Sequence, residues 1–394
     1  MPTLTICVTT DWEGQNLGNA NLAAMTLFRQ QFPNVPLTHF ICPAYLTRGG
    51  NLGAISHTIL GQILPNDEVA LHVHCWQTLV AASNVNPVLQ PSWYIQGNGP
   101  AVPYGQGQSD VGHGVPLGRY TPAEIGQIVT HANQLLVQNQ IAPATPVSFR
   151  CGGWMSADGV QQALQAGHVA NDSSCTDAPY FTQIDQRLQQ FNCRLGSWLP
   201  QLWGANALAQ PAHLANTLSH AVLPGGGTAL TQPYGIQGVL QVPDNGVLAD
   251  YLTAQMIYDR LHAAWQQAAQ ADFVHVCGFH QESATTRNLY DNTANLTNLT
   301  TALAQFLQDV GVAPAGSVER EELEAARIAP RTAGALEAGN KPQVLFNTVR
   351  RIIKKEPGLE GEYVPLDAAD RRRVRELIEA EGPAQPEPAG RFWG

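Results

Sequence analysis

The chain has 394 residues, a formal net charge of −10, 44% hydrophobic residues and a mean hydropathy of −0.14. No stretch approaches the ~20 apolar residues of a membrane span, so we expect no membrane insertion. The acidic balance argues against nucleic acid as the main partner, because phosphate binding relies on basic patches. The first 14 residues lack a basic leader region and the seven cysteines suggest reduced thiols, so we expect a cytoplasmic location.

Short apolar runs alternate with helical patterns through the first 310 residues, which is typical of β/α units around a parallel sheet or barrel. Strands are predicted over residues 4–10, 37–43, 68–76, 146–151, 168–174, 238–243 and 272–280. Helices are predicted over 19–32, 52–64, 121–139, 156–167, 248–270 and 294–309. We expect the Gly/Pro-rich loop 95–120 to cover a pocket, whereas 176–236 follow no regular pattern.

Composition changes near residues 311–317. All 12 histidines and all seven cysteines lie in residues 1–310, and this part of the chain contains no lysine. By contrast, 13 of the 21 basic residues lie in residues 311–394. We therefore predict a barrel over 1–310 that holds the chemistry, and a charged extension over 311–394, partly helical and partly disordered. The charged extension favours a solvated tail, and the alternative is a segment that docks a protein partner through FNTVRRIIKK as a small amphipathic helix.

Polar residues stand at the carboxyl ends of five predicted strands, where the catalytic groups of β/α proteins gather. They are Asp11, Glu13, His72, His74, Arg150, Asp172 and His280. Carboxylates, imidazoles and an arginine at successive strand ends predict a functional site. Asp172 is the exception, since the following serines favour a turn-capping role.

Two histidines stand one residue apart in the stretch EVALHVHCW, residues 68–76. Side chains at i and i+2 of a strand point to the same side, so His72 and His74 face one place, either a polar core pocket or a metal. Imidazole and carboxylate ligands with an open position for water are typical of catalytic metal sites. A second carboxylate can then take a proton from water and a distant histidine can protonate a leaving nitrogen. The pattern indicates metal-assisted hydrolysis.

The chain resembles the polysaccharide deacetylase (NodB-homology, carbohydrate esterase 4) superfamily in the order of its motifs. These motifs are TTDWEG, EVALHVHCW, FRCGGWMSADGVQQALQAGHVANDSS, GVLQVP and GFHQE. The resemblance covers residues 3–310 apart from 176–236, and it is strongest to the branch with an Asp-x-Glu first motif. It implies an α/β fold, a distorted (β/α) barrel of about seven strands. It also implies metal-dependent removal of an N- or O-acetyl group from a sugar or related small molecule.

The resemblance assigns roles to individual residues. Asp11 matches the catalytic base, and Arg150 matches the arginine that supports that base. Glu13 matches the carboxylate metal ligand, where aspartate is commoner, and His280 matches the general acid. A divalent metal is implied, with zinc favoured and cobalt, nickel or iron as alternatives.

The histidines depart from the common family pattern, which places two imidazoles four residues apart. His72 matches the first metal histidine, but Trp76 stands where the second would be. We predict that His74 replaces it as a ligand, as the HxH form of some relatives suggests. A weakened metal site is the alternative.

Other functions stay open at this point. A non-catalytic carbohydrate-binding protein with a degenerate metal site would explain Trp76. A barrel amidohydrolase or deaminase also binds metal through an HxH pair, but there the pair ends the first strand and an aspartate ends the last. Asp11 and Glu13 could also exchange roles. Trp12, Trp76 and Trp154 could form a sugar-stacking wall or pack in the core.

Overall fold

The structure is a computed structural model of the chain, described here for residues 2–89, 110–174, 234–236, 238–288, 290–312, 342–353 and the single positions 369, 372 and 376. The predicted loop up to residue 109, the stretch 176–233 and most of the predicted extension lie outside the described residues. The sequence also predicts charged helices over 318–329 and 367–381, and the first of these and most of the second belong to that part of the chain.

All seven predicted strands are confirmed, and they form one sheet with two further strands in the described part of the chain. The strands are β1 Thr3–Trp12, β2 Leu37–Ile41, β3 Glu68–Val73, β4 Ser148–Cys151, β5 Asn171–Asp172, β6 Tyr234–Ile236, β7 Val239–Gln241, β8 Phe273–His280 and β9 Gln343–Phe346. The first eight follow the order β6-β7-β5-β4-β3-β2-β1-β8. Every described pairing is parallel except that between β6 and β7. The prediction of an α/β fold is therefore confirmed.

The sheet curls into a half-barrel. Arg150 on β4 and Asp11 on β1 are three strand positions apart, which would be about 14 Å in a flat sheet. The Arg150 guanidinium nevertheless lies 2.8 Å from the Asp11 carboxylate. An isolated parallel bridge between Leu248 and Gly278 also brings the chain after β7 to β8. The curl turns the carboxyl ends of distant strands towards one another.

Helices cover the outside of the sheet, as the 3.6-residue apolar periodicity predicts. They are α1 Asn19–Gln31, α2 Leu52–Leu60, α3 Gln77–Ala82, α4 Pro122–Gln138, α5 Asp158–Ala166, α6 Ala254–Ala268, α7 Asn295–Asp309 and α8 Val349–Ile353. The predicted capping box is present at the start of α4, where Thr121 and Glu124 exchange hydrogen bonds. Helix α3 was not predicted, because its six residues are too few for a periodic pattern.

Residues of the predicted C-terminal extension join the sheet. Strand β9 pairs with Thr3–Ile6 of β1, whereas β2 pairs with Val8–Trp12. Strand β8 occupies the other edge of β1 along Leu4–Asp11. Strands β9 and β2 therefore share one edge of β1, with β9 at its amino-terminal half and β2 at its carboxyl-terminal half. The boundary at 310 stays a prediction, but the extension contributes at least one strand to the fold.

Helix α8 packs at the end of the barrel where the strands begin. Val349 is fully buried in a cluster with Cys7, Phe40 and Val276 from the strands. The backbone N–H groups of Val349 and Arg350 donate to Thr38 Oγ1 at 3.0 Å and to Glu68 Oε2 at 2.7 Å. The first turn of the predicted partner-binding helix therefore packs on its own barrel, while a partner for the rest of the extension stays a prediction.

We expect Phe346→Ala to lower the free energy of unfolding by about 3–5 kcal/mol, because Phe346 is fully buried where β9 meets β1. Urea denaturation measures the change. Val312→Ala is the matched control, since Val312 is 37% exposed and its truncation should change stability by less than about 0.5 kcal/mol. Equal stability of Phe346→Ala and wild type would contradict the place of β9 in the folded unit.

Candidate metal centre

The register of the strands places the predicted site residues side by side. Asp11 lies directly opposite His280 in the β1–β8 ladder, and His72 lies opposite Arg150 in the β3–β4 ladder. Glu13 follows the last residue of β1. All these residues are at least 95% buried. One end of the half-barrel therefore gathers charged and imidazole groups, as the sequence indicates.

Glu13 is the centre of this cluster. Its Oε1 lies 3.2 Å from His72 Nε2 and 3.5 Å from His280 Nε2, and its Oε2 lies 2.5 Å from His74 Nε2. Strand β3 ends at Val73, so His74 stands one residue beyond the strand. The two imidazoles still face the same carboxylate, which brings together the three residues predicted as metal ligands.

A third imidazole, that of His113, lies in the same place and was not predicted. Its Nε2 lies 2.7 Å from Glu13 Oε2, and its ring stacks on the His74 ring with centroids 3.7 Å apart. His113 belongs to the part of the loop 95–120 that the structure describes, 100 residues from Glu13 in the chain. A histidine between two glycines, after an HxH strand, was the available sequence signal.

The imidazoles decide the charge of Glu13. Burial by itself raises the pKa of a carboxyl group, but His74 and His72 nearby, with a hydrogen bond from His113, hold the pKa of Glu13 well below its usual value. Burial and the neighbouring His74 lower the pKa of His113 to about 3. The cluster thus contains an ionised carboxylate and at least one neutral imidazole.

Hydrogen bonds fix the orientation of two imidazoles. His72 Nδ1 lies 2.9 Å from the carbonyl oxygen of Arg150, and His74 Nδ1 lies 3.0 Å from that of His113. A carbonyl oxygen only accepts, so each Nδ1 carries a proton, and in the neutral ring Nε2 then directs a lone pair at Glu13. A divalent cation can take the place of the proton that otherwise lies between each Nε2 and the carboxylate. An Nδ1 that donates to a carbonyl is also the usual support of a metal-binding histidine.

The donor atoms form two groups that share Glu13, and each group is compact enough to hold an ion. Those of Glu13, His74 and His113 all lie within 4.8 Å of one another, and so do those of Asp11, Glu13 and His72. Imidazole nitrogen and carboxylate oxygen form the donor set that zinc and similar divalent metals bind. The residues present therefore fit a divalent metal.

Asp11 forms a buried ion pair beside the imidazoles. Its Oδ1 accepts from Arg150 Nη1 at 2.8 Å, and the same guanidinium donates to Ser173 Oγ at 2.9 Å and to Thr9 Oγ1 at 3.1 Å. Asp244 lies 3.6 Å from Arg150 Nη1. Burial raises the pKa of Asp244 to about 6, although Arg150 opposes the rise. The arginine thus orients Asp11 and compensates two buried carboxyl groups.

His280 is paired with a carboxylate that was not predicted. Its Nδ1 lies 3.2 Å from Asp250 Oδ1, and its backbone N–H donates to Asp250 Oδ2 at 3.1 Å. Burial by itself lowers the pKa of His280, but the negative charges of Asp250 and then Glu13 outweigh this effect and raise the pKa to about 10. The imidazole is therefore protonated at neutral pH and can act as a proton donor.

The remaining sequence expectations are settled by packing. The Asp172 carboxylate accepts hydrogen bonds from Ser156, Gln161 and Ser174, which is the capping role expected for it. Trp12 and Trp76 are fully buried, so a sugar-stacking wall made of all three tryptophans is wrong. Trp76 Nε1 instead donates to the carbonyl oxygen of Glu13 at 2.8 Å.

The cluster opens into a narrow cleft of about 10 Å³, lined by Asp11, Glu13, His72, Cys151, Gly153, Trp154 and His280. Trp154 is the tryptophan that remains beside the site. Cys75, Cys151 and Cys277 are buried free thiols, as expected for small core residues. Burial also raises the pKa of each of these thiols, so none is activated as a nucleophile.

Among the described helices, none combines the length and the apolar character that a bilayer span requires.

No protein-family model and no curated protein matches the chain. The solved structures that are similar to it include the following two. One is a Mycobacterium smegmatis protein assigned as a polysaccharide deacetylase, with 12% identity, a TM-score of 0.35 and coverage of 84% of this chain and 93% of that chain.

The other is a family 4 carbohydrate esterase from Streptomyces lividans in complex with acetate. It has 8% identity and a TM-score of 0.34, and the match covers 78% of this chain and 88% of that chain. The motifs that build the candidate site are those in which the chain resembles the polysaccharide deacetylase superfamily.

Proposed function

We propose that this chain is a metal-dependent deacetylase that hydrolyses the acetyl group of an N-acetylated, or O-acetylated, sugar or related small molecule. One observation carries the proposal: a buried carboxylate surrounded by imidazole nitrogens lies between an Asp–Arg pair and an Asp–His pair. Zinc as the metal and the cytoplasm as the location are further parts of this proposal.

The metal would be held by Glu13, His72 and His74. When bound, a divalent metal polarises the acetyl carbonyl and makes its bound water more acidic. Asp11 accepts the proton of the attacking water, because it is the carboxylate beside the cluster whose position a buried arginine fixes. Arg150 keeps the Asp11 carboxylate turned towards the site.

His280 supplies a proton to the departing amine. It ends β8 directly opposite Asp11 of β1, and Asp250 holds it protonated. A base and an acid at neighbouring strand ends match the two proton transfers of amide hydrolysis. The buried surroundings strengthen both electrostatic effects, since water does not screen them.

The proposal is tested by acetate release from N-acetylated amino sugars and glycans, with zinc, cobalt or nickel added to chelator-treated protein. We expect activity in the metal-loaded protein and only the background rate after chelation. His280→Asn is expected to lose activity while it retains the metal, because His280 is not a proposed ligand. A metal-loaded protein that releases no acetate from any substrate of this class would favour the carbohydrate-binding alternative.

A further inference from the structure

His113 contacts the candidate metal centre in two ways. Its Nε2 lies 2.7 Å from Glu13 Oε2, and its carbonyl oxygen accepts the Nδ1 proton of His74. The first contact adds an imidazole nitrogen to the donor set, and the second orients the neighbouring imidazole. Its side chain is also fully buried, so no competing contact with bulk water holds it there.

The segment 110–113, which we call the imidazole arm, passes very close to the end of β3. A Cβ atom at Gly112 would lie 2.4 Å from the carbonyl oxygen of Cys75, and the φ of +94° at this glycine disfavours other residues. The backbone N–H of Gln77 donates to the carbonyl oxygen of Val111 at 2.7 Å. The arm is therefore fixed by its own backbone.

Asp110 anchors the start of the arm. Its carboxylate accepts from Arg48 Nε at 2.9 Å, from Thr78 Oγ1 at 2.6 Å and from the Thr78 backbone N–H at 3.2 Å. Asp110 is buried, and it forms an ion pair with Arg48. A buried carboxylate with this many donors is held in one place.

Arg48 joins the arm to the turn that carries Glu13. The same guanidinium that contacts Asp110 donates to the carbonyl oxygens of Gly14 and Gln15, the latter at 3.1 Å. It also lies 4.1 Å above the centre of the Trp76 indole. One shared guanidinium therefore links the segment that carries His113 to the turn that carries Glu13.

Trp76 explains why an imidazole is needed from elsewhere. It stands four residues after His72, but its indole holds the Glu13 backbone and offers no metal ligand. The His113 ring packs edge-on against this indole, with centroids 4.9 Å apart. Position 76 thus offers no imidazole, but the His113 imidazole lies beside it and comes from a different segment of the chain.

We infer that His113 is a metal ligand of this centre and that Asp110, through Arg48 and Thr78, is the positioning residue that holds it there. The inference rests on the proposed function, because it requires the centre to bind a divalent metal. It adds an imidazole to the predicted set of Glu13, His72 and His74.

Cobalt titration tests the inference, since Co²⁺ bound by nitrogen and oxygen ligands has visible absorption bands that depend on the ligand set. The variants are His113→Phe, which keeps an aromatic ring against His74 and Trp76 but offers no nitrogen, and Asp110→Asn, which keeps the volume. His57→Ala is the control, because His57 is exposed on α2. Circular dichroism confirms that each variant is folded.

We expect His113→Phe to weaken Co²⁺ binding by at least about 100-fold with altered bands, and Asp110→Asn to weaken it by about 10-fold with bands near those of wild type. His57→Ala should behave as wild type. If wild type binds Co²⁺ and folded His113→Phe binds it with the same affinity and bands, the inference is overturned while the proposed function stands. If His113→Phe does not fold, unchanged affinity in Asp110→Asn overturns it. A wild-type protein that binds no Co²⁺ overturns both.

Discussion

Replacing Asp11 with asparagine is expected to lower the rate of acetate release by about 10²–10⁴-fold. Asparagine keeps the size of the side chain but cannot accept the proton of the attacking water. Its carbonyl oxygen can still accept from Arg150 Nη1, so the fold around the 2.8 Å contact should survive. The rate is measured on metal-loaded protein, with metal content determined on the same sample.

Asp158→Asn is the control for this substitution, since Asp158 is exposed in the first turn of α5. Full activity of Asp11→Asn would remove Asp11 as the base. Loss of the metal together with the activity would show that Asp11 is a ligand, and that Asp11 and Glu13 exchange the roles assigned to them.

Arg150→Met is expected to lower the free energy of unfolding by about 3–5 kcal/mol, because it leaves buried carboxylates without a counter-charge. Arg150 is fully buried between Asp11 and Asp244, at 2.8 and 3.6 Å. Methionine approximates the length of the side chain, so the loss reports charge more than volume. Urea denaturation of the metal-free proteins measures it without a contribution from metal binding.

The double variant Arg150→Met with Asp244→Asn separates charge from packing. Removing one of the two uncompensated carboxyl groups should restore part of the lost stability. The defect of Arg150→Met should also shrink at acidic pH, because protonation removes the unpaired negative charges. An Arg150→Met variant as stable as wild type at every pH would show that the Arg150 ion pairs do not stabilise this fold.

Most of the barrel follows from local sequence patterns. Buried parallel strands read as short apolar runs, and LTICVTT in β1 or FVHVCGF in β8 are of this kind. Asp11, His72 and His280 were found because a polar residue at the end of such a run is conspicuous. Their meeting point follows from the parallel register, which places all carboxyl ends on one side of the sheet.

Other features depend on contacts between distant segments. His113 lies in a loop without periodicity, and only the fold shows that it meets Glu13. The role of Asp250 also shows only in the fold, because its partner His280 is 30 residues away in the chain. Strand β9 is four residues in a charged segment, and it pairs with the first strand of the chain. No local pattern encodes such pairings, because the stabilising contacts exist only in the folded molecule.

Diffraction from crystals soaked in zinc, with anomalous data collected on both sides of the zinc absorption edge, tests the central claim most directly. We expect a single strong anomalous peak within ligand distance of Glu13 and of the imidazole nitrogens of His72 or His74, about 2.0–2.2 Å from each ligand atom. Zinc-soaked crystals with no peak beside Glu13, or with the carboxylate turned away from the imidazoles, would contradict it.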